Sequence, residues 1–136
     1  MEPIILNYHV DGEDFSSAGE ASSATKKTLK QLGFSPDVIR RVSIAMYEGE
    51  INMVIHADGG SADVLVYEDG IEIILADKGP GIPNIEIAMK EGYSTAPDNV
   101  RNLGFGAGMG LPNMKRYTDD MKIETEIGKG TTITMR

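Results

Sequence analysis

Two polar residues, Glu48 and Asn52, stand four positions apart in a segment whose apolar residues recur at helical spacing. On a helix, such residues project from the same face, one turn apart. A carboxylate can accept a proton from a nucleophile or orient it, and an amide oxygen is a hard ligand that suits Mg²⁺. The pair therefore predicts a polar patch facing a cleft, although a solvated helix surface would show the same two residues.

A second candidate is Asp77, which follows a predicted strand and is followed in turn by Gly79, Gly81 and Ile82. Glycines allow the backbone to approach a ligand closely. A carboxylate only accepts hydrogen bonds, so it suits the exocyclic amine of adenine better than the carbonyl of guanine. The pattern predicts a pocket for a flat base, with a turn headed by an aspartate as the alternative.

The third candidate is a glycine cluster at residues 104–110, directly before a predicted helix. Alternating glycines free backbone N–H groups to point at an anion near a helix N-terminus. The cluster contains neither GxxxxGK[ST] nor GxGxxG, which disfavours the two nucleotide folds that carry those motifs. It predicts a polyphosphate site, and a glycine-rich hinge is the alternative.

The other polar motifs give weaker evidence for a binding or catalytic site. Thr131 follows a glycine-containing turn between two predicted strands, so we expect a plain hairpin in which Thr131 is at most a supporting contact. The chain has no cysteine and only two histidines, His9 and His56, far apart in sequence. This composition argues against a thiolate nucleophile, a disulfide framework or a zinc site.

These candidate residues need a scaffold, and the pattern of apolar and turn residues predicts one. We expect the order β, α, α, β, β, α, β, β, with a further short helix near 85–90. This order indicates an α+β fold, a two-layer α/β sandwich with a mixed, mainly antiparallel sheet and helices on one face. The strands are predicted at 4–10, 62–67, 71–76, 121–127 and 131–135, and the main helices at 14–32, 36–56 and 111–117.

Length and charge narrow the class of protein. The 136 residues predict a single domain spanning 1–136. Apolar residues make up 40% and charged residues 25%, which is enough for one core and a solvated surface. The net charge of −8 disfavours binding to nucleic acid or to an anionic membrane. No signal-peptide or membrane-spanning pattern is present in the sequence, so we expect a cytoplasmic protein.

Taken in order, the three candidates resemble the motifs of the GHKL ATPase superfamily over most of the chain. Its N-box is similar to the segment from Glu48 to Asn52, its first glycine box to the segment from Asp77 to Ile82, and its second to residues 104–111. The resemblance implies the Bergerat ATP-binding fold, with ATP and Mg²⁺ as cofactors. Among its members, the anti-sigma-factor serine/threonine kinases of the RsbT-like switch type are the most similar.

The resemblance also implies a role for each residue. Glu48 would be the general base or water-positioning group, Asn52 the Mg²⁺ ligand and Asp77 the partner of the adenine amine. The first glycine box would shape the base pocket, and the second would wrap the phosphates beneath a lid at about 92–107. The implied nucleotide-binding set is Asn52, Asp77, Gly79, Gly81, Ile82, Thr95, Gly104, Gly106, Ala107, Gly108, Met109, Gly110, Leu111 and Thr131.

The implied activity is phosphorylation of a serine or threonine on a STAS-domain antagonist protein, as an anti-sigma or stress-switch regulator. A sigma factor, a phosphatase and a second copy of the chain are further implied partners. Two alternatives stay open: a noncatalytic, nucleotide-gated binding module, and the ATPase domain of an orphan histidine kinase. The chain lacks a phosphoacceptor-histidine helix pair, which disfavours the latter.

Overall fold

The computed structural model describes residues 3–11, 19–56, 59–77 and 110–136. Within these ranges the order of elements is β, α, α, β, β, α, β, β, as the sequence predicts. The predicted short helix at 85–90 lies outside the described residues. The elements are β1 (Ile4–Asp11), α1 (Glu20–Gln31), α2 (Pro36–His56), β2 (Gly59–Tyr67), β3 (Gly70–Asp77), α3 (Gly110–Arg116), β4 (Met121–Glu126) and β5 (Gly130–Met135).

The five strands form one sheet in the order β1-β2-β3-β5-β4. All four pairings among the described strands are antiparallel. Side chains alternate between the two faces: in β3, Ile71, Ile73 and Leu75 are buried while their neighbours are half-buried. The buried face of β3 therefore continues into Ile133 and Met135 of β5.

Helices cover the buried face of the sheet. Helix α2 packs against β1, β2 and β3, and it also contacts α1 and α3. Leu29, Met46, Leu75 and Met114 are almost completely buried and join both layers in one core. The architecture is thus the predicted α+β sandwich. None of the helices in the described ranges has the combination of length and apolar character needed to cross a bilayer.

The start of α2 follows from local sequence. Pro36 is the first helical residue, and the Ser35 hydroxyl accepts a hydrogen bond from the backbone N–H of Val38 at 3.3 Å. Serine is a favoured N-cap, and proline fits the first helical position because its missing N–H would have no partner there. The predicted boundaries of this helix, 36–56, are confirmed.

The start of α1 differs from the prediction. The sequence predicts a helix from residue 14, but α1 begins at Glu20 because Gly19 has φ of +96° and ψ of −5°. That left-handed conformation cannot continue a right-handed helix. Residues 12–18 lie outside the described ranges. The Gly19 backbone N–H also contacts the Glu50 carboxylate of α2.

Candidate functional site

Glu48 and Asn52 lie one turn apart on α2, and both side chains are half-buried. The side of α2 that faces the core carries Met46 and Met53, which are 0% and 3% exposed. Because these apolar residues hold one side of the helix against the sheet, the turn that carries Glu48 and Asn52 has a fixed orientation. The two polar residues therefore share one surface of α2.

Glu48 has a partner on α3. Its carboxylate oxygen Oε1 accepts a hydrogen bond from the Asn113 amide Nδ2 at 3.3 Å, in a partly buried setting. On either side of Asn113, Leu111 is 6% exposed and Met114 is fully buried. The carboxylate of Glu48 is therefore held at the line where α2 and α3 meet.

Gly49 lies at the point where α2, β3 and α3 meet. A Cβ atom at this position would overlap the Leu75 side chain and would lie 3.4 Å from the Met114 sulfur. The missing side chain lets the three elements approach closely, so glycine is needed here for packing. Leu75 stands two residues before Asp77, so the same junction connects the helix of Glu48 to the strand end of Asp77.

Asp77 ends β3 and is paired in register with Thr131 of β5. Its carboxylate Oδ1 accepts a hydrogen bond from the Thr131 backbone N–H at 3.1 Å. The Thr131 side chain is 6% exposed, and its hydroxyl lies 2.9 Å from that of Thr125 on β4. The strand end therefore presents a carboxylate whose orientation is set by the neighbouring strand.

Glu50, two residues beyond Glu48, has a structural role that was not predicted from the sequence. It is only 2% exposed, and its carboxylate accepts hydrogen bonds from the backbone N–H groups of Gly19 at 3.0 Å, Ala21 at 3.2 Å and Ser22. These are orphan donors at the N-terminus of α1, where a negative charge is favourable. Glu50 thus caps α1 from a different helix, which explains why α1 begins at Glu20.

Residues 14–136 match the family model of the histidine kinase-like ATPase domain. The chain belongs to the histidine kinase-like ATPase domain family. Its relatives include the serine/threonine-protein kinase RsbT of Bacillus subtilis, 33% identical over 112 residues that cover 79% of this chain and 78% of the relative. The anti-sigma F factor of Clostridium acetobutylicum is 35% identical over 131 residues, covering 93% and 85%. That of Priestia megaterium is 29% identical over 133 residues, covering 90% and 87%.

The described part of this ATPase domain contains only some of the predicted site residues. Glu48, Asn52, Asp77, Leu111 and Thr131 lie on the three elements that meet around Gly49 or on the strand beside them. Gly110 is the first residue of α3. The remaining predicted contacts lie outside the described residues: Gly79, Gly81, Ile82, Thr95, Gly104, Gly106, Ala107, Gly108 and Met109.

ATP is the nucleotide that a domain of this family uses. The chemistry of the described residues fits a magnesium-nucleotide ligand. In the described ranges no three His, Asp or Glu side chains cluster as a metal cage. Magnesium commonly needs no such cage, because it keeps several waters and binds through one or two protein oxygens plus phosphates. Asn52 offers one such oxygen, because its half-buried side chain lies on the surface of α2 that also carries Glu48.

Proposed function

We propose that this ATPase domain is a serine/threonine protein kinase that phosphorylates a STAS-domain antagonist protein and thereby acts as an anti-sigma or stress-switch regulator. Membership of the family supplies the ATP-using domain. One relative is named a serine/threonine-protein kinase, which supports the proposed kinase activity. Others are named anti-sigma F factors, which supports the proposed regulatory role. The observation that carries it is the Glu48 carboxylate, held at 3.3 Å by Asn113 beside the helix turn that carries Asn52.

Asp77 would bind the adenine amine. Thr131 donates its backbone N–H to Oδ1 of Asp77, which restrains the carboxylate at the end of β3. A carboxylate in a fixed orientation selects a donor, and adenine presents an exocyclic amine where guanine presents a carbonyl. Gly79, Gly81 and Ile82 would shape the base pocket beside it, with Thr131 as a supporting contact.

Asn52 would supply a protein oxygen to Mg²⁺. A magnesium ion held there would supply positive charge to the phosphate groups of ATP. Residues of the glycine cluster would donate backbone N–H groups to the same phosphates: Gly104, Gly106, Ala107, Gly108, Met109 and Gly110. Thr95 and Leu111 complete the proposed nucleotide-binding set.

Glu48 would act on the acceptor hydroxyl. In the transfer, the serine or threonine oxygen of the partner forms a bond to the γ-phosphorus, and the bond from that phosphorus to the β–γ bridging oxygen breaks. ADP leaves with the electron pair of the broken bond. The hydroxyl proton passes to the Glu48 carboxylate, which lies half-buried on the same face of α2 as Asn52.

The partner proteins form part of the proposal. The phosphate acceptor is a STAS-domain antagonist protein, and a sigma factor or a phosphatase would be the target that the switch controls. A second copy of this chain is a further proposed partner. The domain spanning 1–136 would work as one catalytic unit in the cytoplasm, and neither nucleic acid nor membrane is a proposed partner, in keeping with the net charge of −8.

The deciding experiment incubates the purified chain with Mg²⁺, ATP labelled in its γ-phosphate and a co-purified STAS-domain protein. We expect the label on the STAS protein in an acid-stable form, and phosphopeptide mapping should place it on serine or threonine. The matched control is the acceptor with that residue changed to alanine, which should take up no label. Acid-labile label would indicate a histidine kinase. ATP-dependent partner binding without any label would indicate a noncatalytic module.

A further inference from the structure

The hydrogen bond between Asn113 and Glu48 joins two helices whose residues are 65 positions apart in sequence. We infer that Asn113 is a positioning residue, which holds the Glu48 carboxylate in the orientation needed to receive the acceptor proton. This inference rests on the role of Glu48 under the proposed function. It adds a residue from α3 that belongs to none of the three motifs around Glu48, Asp77 and the glycine cluster.

A glutamate side chain needs such a constraint because it has three rotatable torsions. Glu48 is only half-buried, so packing alone leaves its carboxylate several orientations. Proton transfer requires the base within hydrogen-bond reach of the hydroxyl, and small misplacements reduce the rate steeply. Asn113 engages Oε1. The second oxygen, Oε2, is then directed by the same hydrogen bond and is the atom to which we assign the proton.

Asn113 can hold Glu48 because contacts with α2 fix α3 next to Asn113 and just past the C-terminal end of α3. Met114, the residue after Asn113, is fully buried at the Gly49 junction. Beyond Arg116, the last residue of α3, Arg41 of α2 donates its Nε hydrogen to the Tyr117 backbone carbonyl at 3.2 Å, and its guanidinium pairs with Asp119 at 3.2 Å. The donor of the Asn113 hydrogen bond is therefore carried by a helix whose position is fixed.

The chemical type of the donor also suits a base. An amide donates a hydrogen bond without a positive charge, whereas lysine or arginine would form an ion pair with the carboxylate. An ion pair would compete with the acceptor for the oxygen that must receive the proton. A neutral donor on one oxygen orients the group and leaves the other oxygen for chemistry.

A double-mutant cycle separates this role from simple helix packing. We would compare Asn113→Leu, Glu48→Gln and the double variant in single-turnover transfer from Mg-ATP to the STAS acceptor, together with slow hydrolysis of Mg-ATP by the chain alone. With Glu48 present, Asn113→Leu should slow the chemical step roughly tenfold. ATP affinity should stay within about twofold, because the amide does not touch the nucleotide in this proposal. In the Glu48→Gln background the same change should add less than about a twofold loss.

Two further variants keep the test decisive. Asn113→Gln retains the amide and should recover part of the lost rate, whereas the nearly isosteric Asn113→Asp removes the donor and should lose at least as much as leucine. The matched control is Asn7→Leu, because Asn7 donates its amide to the Asp63 carboxylate at 2.7 Å on the other face of the sheet. That change should leave the rate of transfer unaltered.

A ligand-free measurement completes the design. The side-chain amide signal of Asn113 in a nitrogen–proton NMR spectrum should shift in the Glu48→Gln variant and stay in place in Asn7→Leu. An equal loss from Asn113→Leu in both Glu48 backgrounds, or an unmoved amide signal, would overturn the positioning role alone. By contrast, a Glu48→Gln variant with full activity would overturn the role of Glu48 itself. These two failures are therefore distinguishable.

Discussion

The Glu50 carboxylate accepts a hydrogen bond at 3.0 Å from the backbone N–H of Gly19, which joins the middle of α2 to the residue before α1. Glu50 accepts two further bonds from the first turn of α1 and is 2% exposed. A buried carboxylate that satisfies several orphan N–H groups replaces a local N-cap, and Gly19 has no side chain with which to form one. The N-terminus of α1 therefore depends on a side chain of α2 for its cap.

Replacing Glu50 by alanine should destabilise the fold. The change leaves three backbone donors without their acceptor in a buried setting, and we expect a loss of about 2–4 kcal/mol in the free energy of unfolding. Glu50→Gln should lose less, because one amide oxygen still accepts. Urea unfolding followed by circular dichroism measures both. The control is Glu20→Gln, a change at an exposed glutamate of α1, and a Glu50→Ala variant as stable as that control would contradict the capping role.

Gly19→Ala should also destabilise the chain. The residue has φ of +96°, and an added Cβ would lie 2.8 Å from Cε2 of Tyr47. Left-handed strain and the contact together should cost about 1–3 kcal/mol in the free energy of unfolding. Gly70→Ala is the matched control, since a Cβ there meets open space. Equal melting temperatures for the two variants would argue that the conformation of Gly19 is not required.

Glu48→Ala should retain ATP binding and lose transfer. Removal of a general base typically slows proton transfer by about 10²- to 10⁴-fold. Label transfer to the STAS acceptor measures the rate, and calorimetry with Mg-ATP measures the affinity. Glu20→Ala serves as a surface glutamate control. Unchanged turnover in Glu48→Ala would remove this residue from the reaction.

Asp77→Asn should weaken adenine binding by roughly 1–3 kcal/mol. The new amide oxygen can still accept from Thr131, so the strand pairing is kept while a donor now faces the adenine amine. Calorimetry with ATP and GTP measures the effect, and Asp63→Asn on the open face of the sheet is the control. Equal binding of ATP and GTP by the unaltered chain would count against Asp77 as the base-selecting residue.

Asn52→Ala should reduce the contribution of magnesium to ATP affinity. The variant loses its protein oxygen ligand, so ATP binding with Mg²⁺ should approach that measured in EDTA, whereas the unaltered chain should show a clear difference. Asn7→Ala provides an exposed asparagine control. A magnesium effect of the same size in Asn52→Ala would place the metal ligand elsewhere.

The parts of this fold that local sequence determines could be predicted. Ser35 and Pro36 specify the start of α2, and the turn segment Glu68-Asp69-Gly70 between two β-branched runs indicates the hairpin of β2 and β3. The start of α1 could not be predicted in the same way, because its cap comes from Glu50, 31 positions from Gly19. One signal was available: Glu50 lies between Met46 and Met53 at the spacing of the buried stripe, and a charge there requires a partner.

The candidate site also has features that local sequence determines and features that depend on long-range contacts. The placement of Glu48 and Asn52 on one helix face is a local property, because it depends only on their spacing within a helix that the sequence predicts. The contact of Glu48 with Asn113 depends on how α3 lies across α2, and neither residue signals it alone. The roles of Glu48, Asn52 and Asp77 stay predictions, as do those of the two glycine boxes, whose residues at 79–82 and 104–109 lie outside the described ranges.

Three consecutive residues of α2 contact three different neighbours. Glu48 accepts a hydrogen bond from α3, Gly49 packs closely against Leu75 of the sheet, and Glu50 accepts hydrogen bonds from α1. A single backbone segment therefore carries three separate structural constraints: the position of a carboxylate at 48, close packing at 49 and helix capping at 50. A comprehensive substitution scan of these three codons, scored for both abundance and phosphotransfer, should separate them. Variants at 49 and 50 would be depleted for abundance, and variants at 48 would stay abundant but inactive.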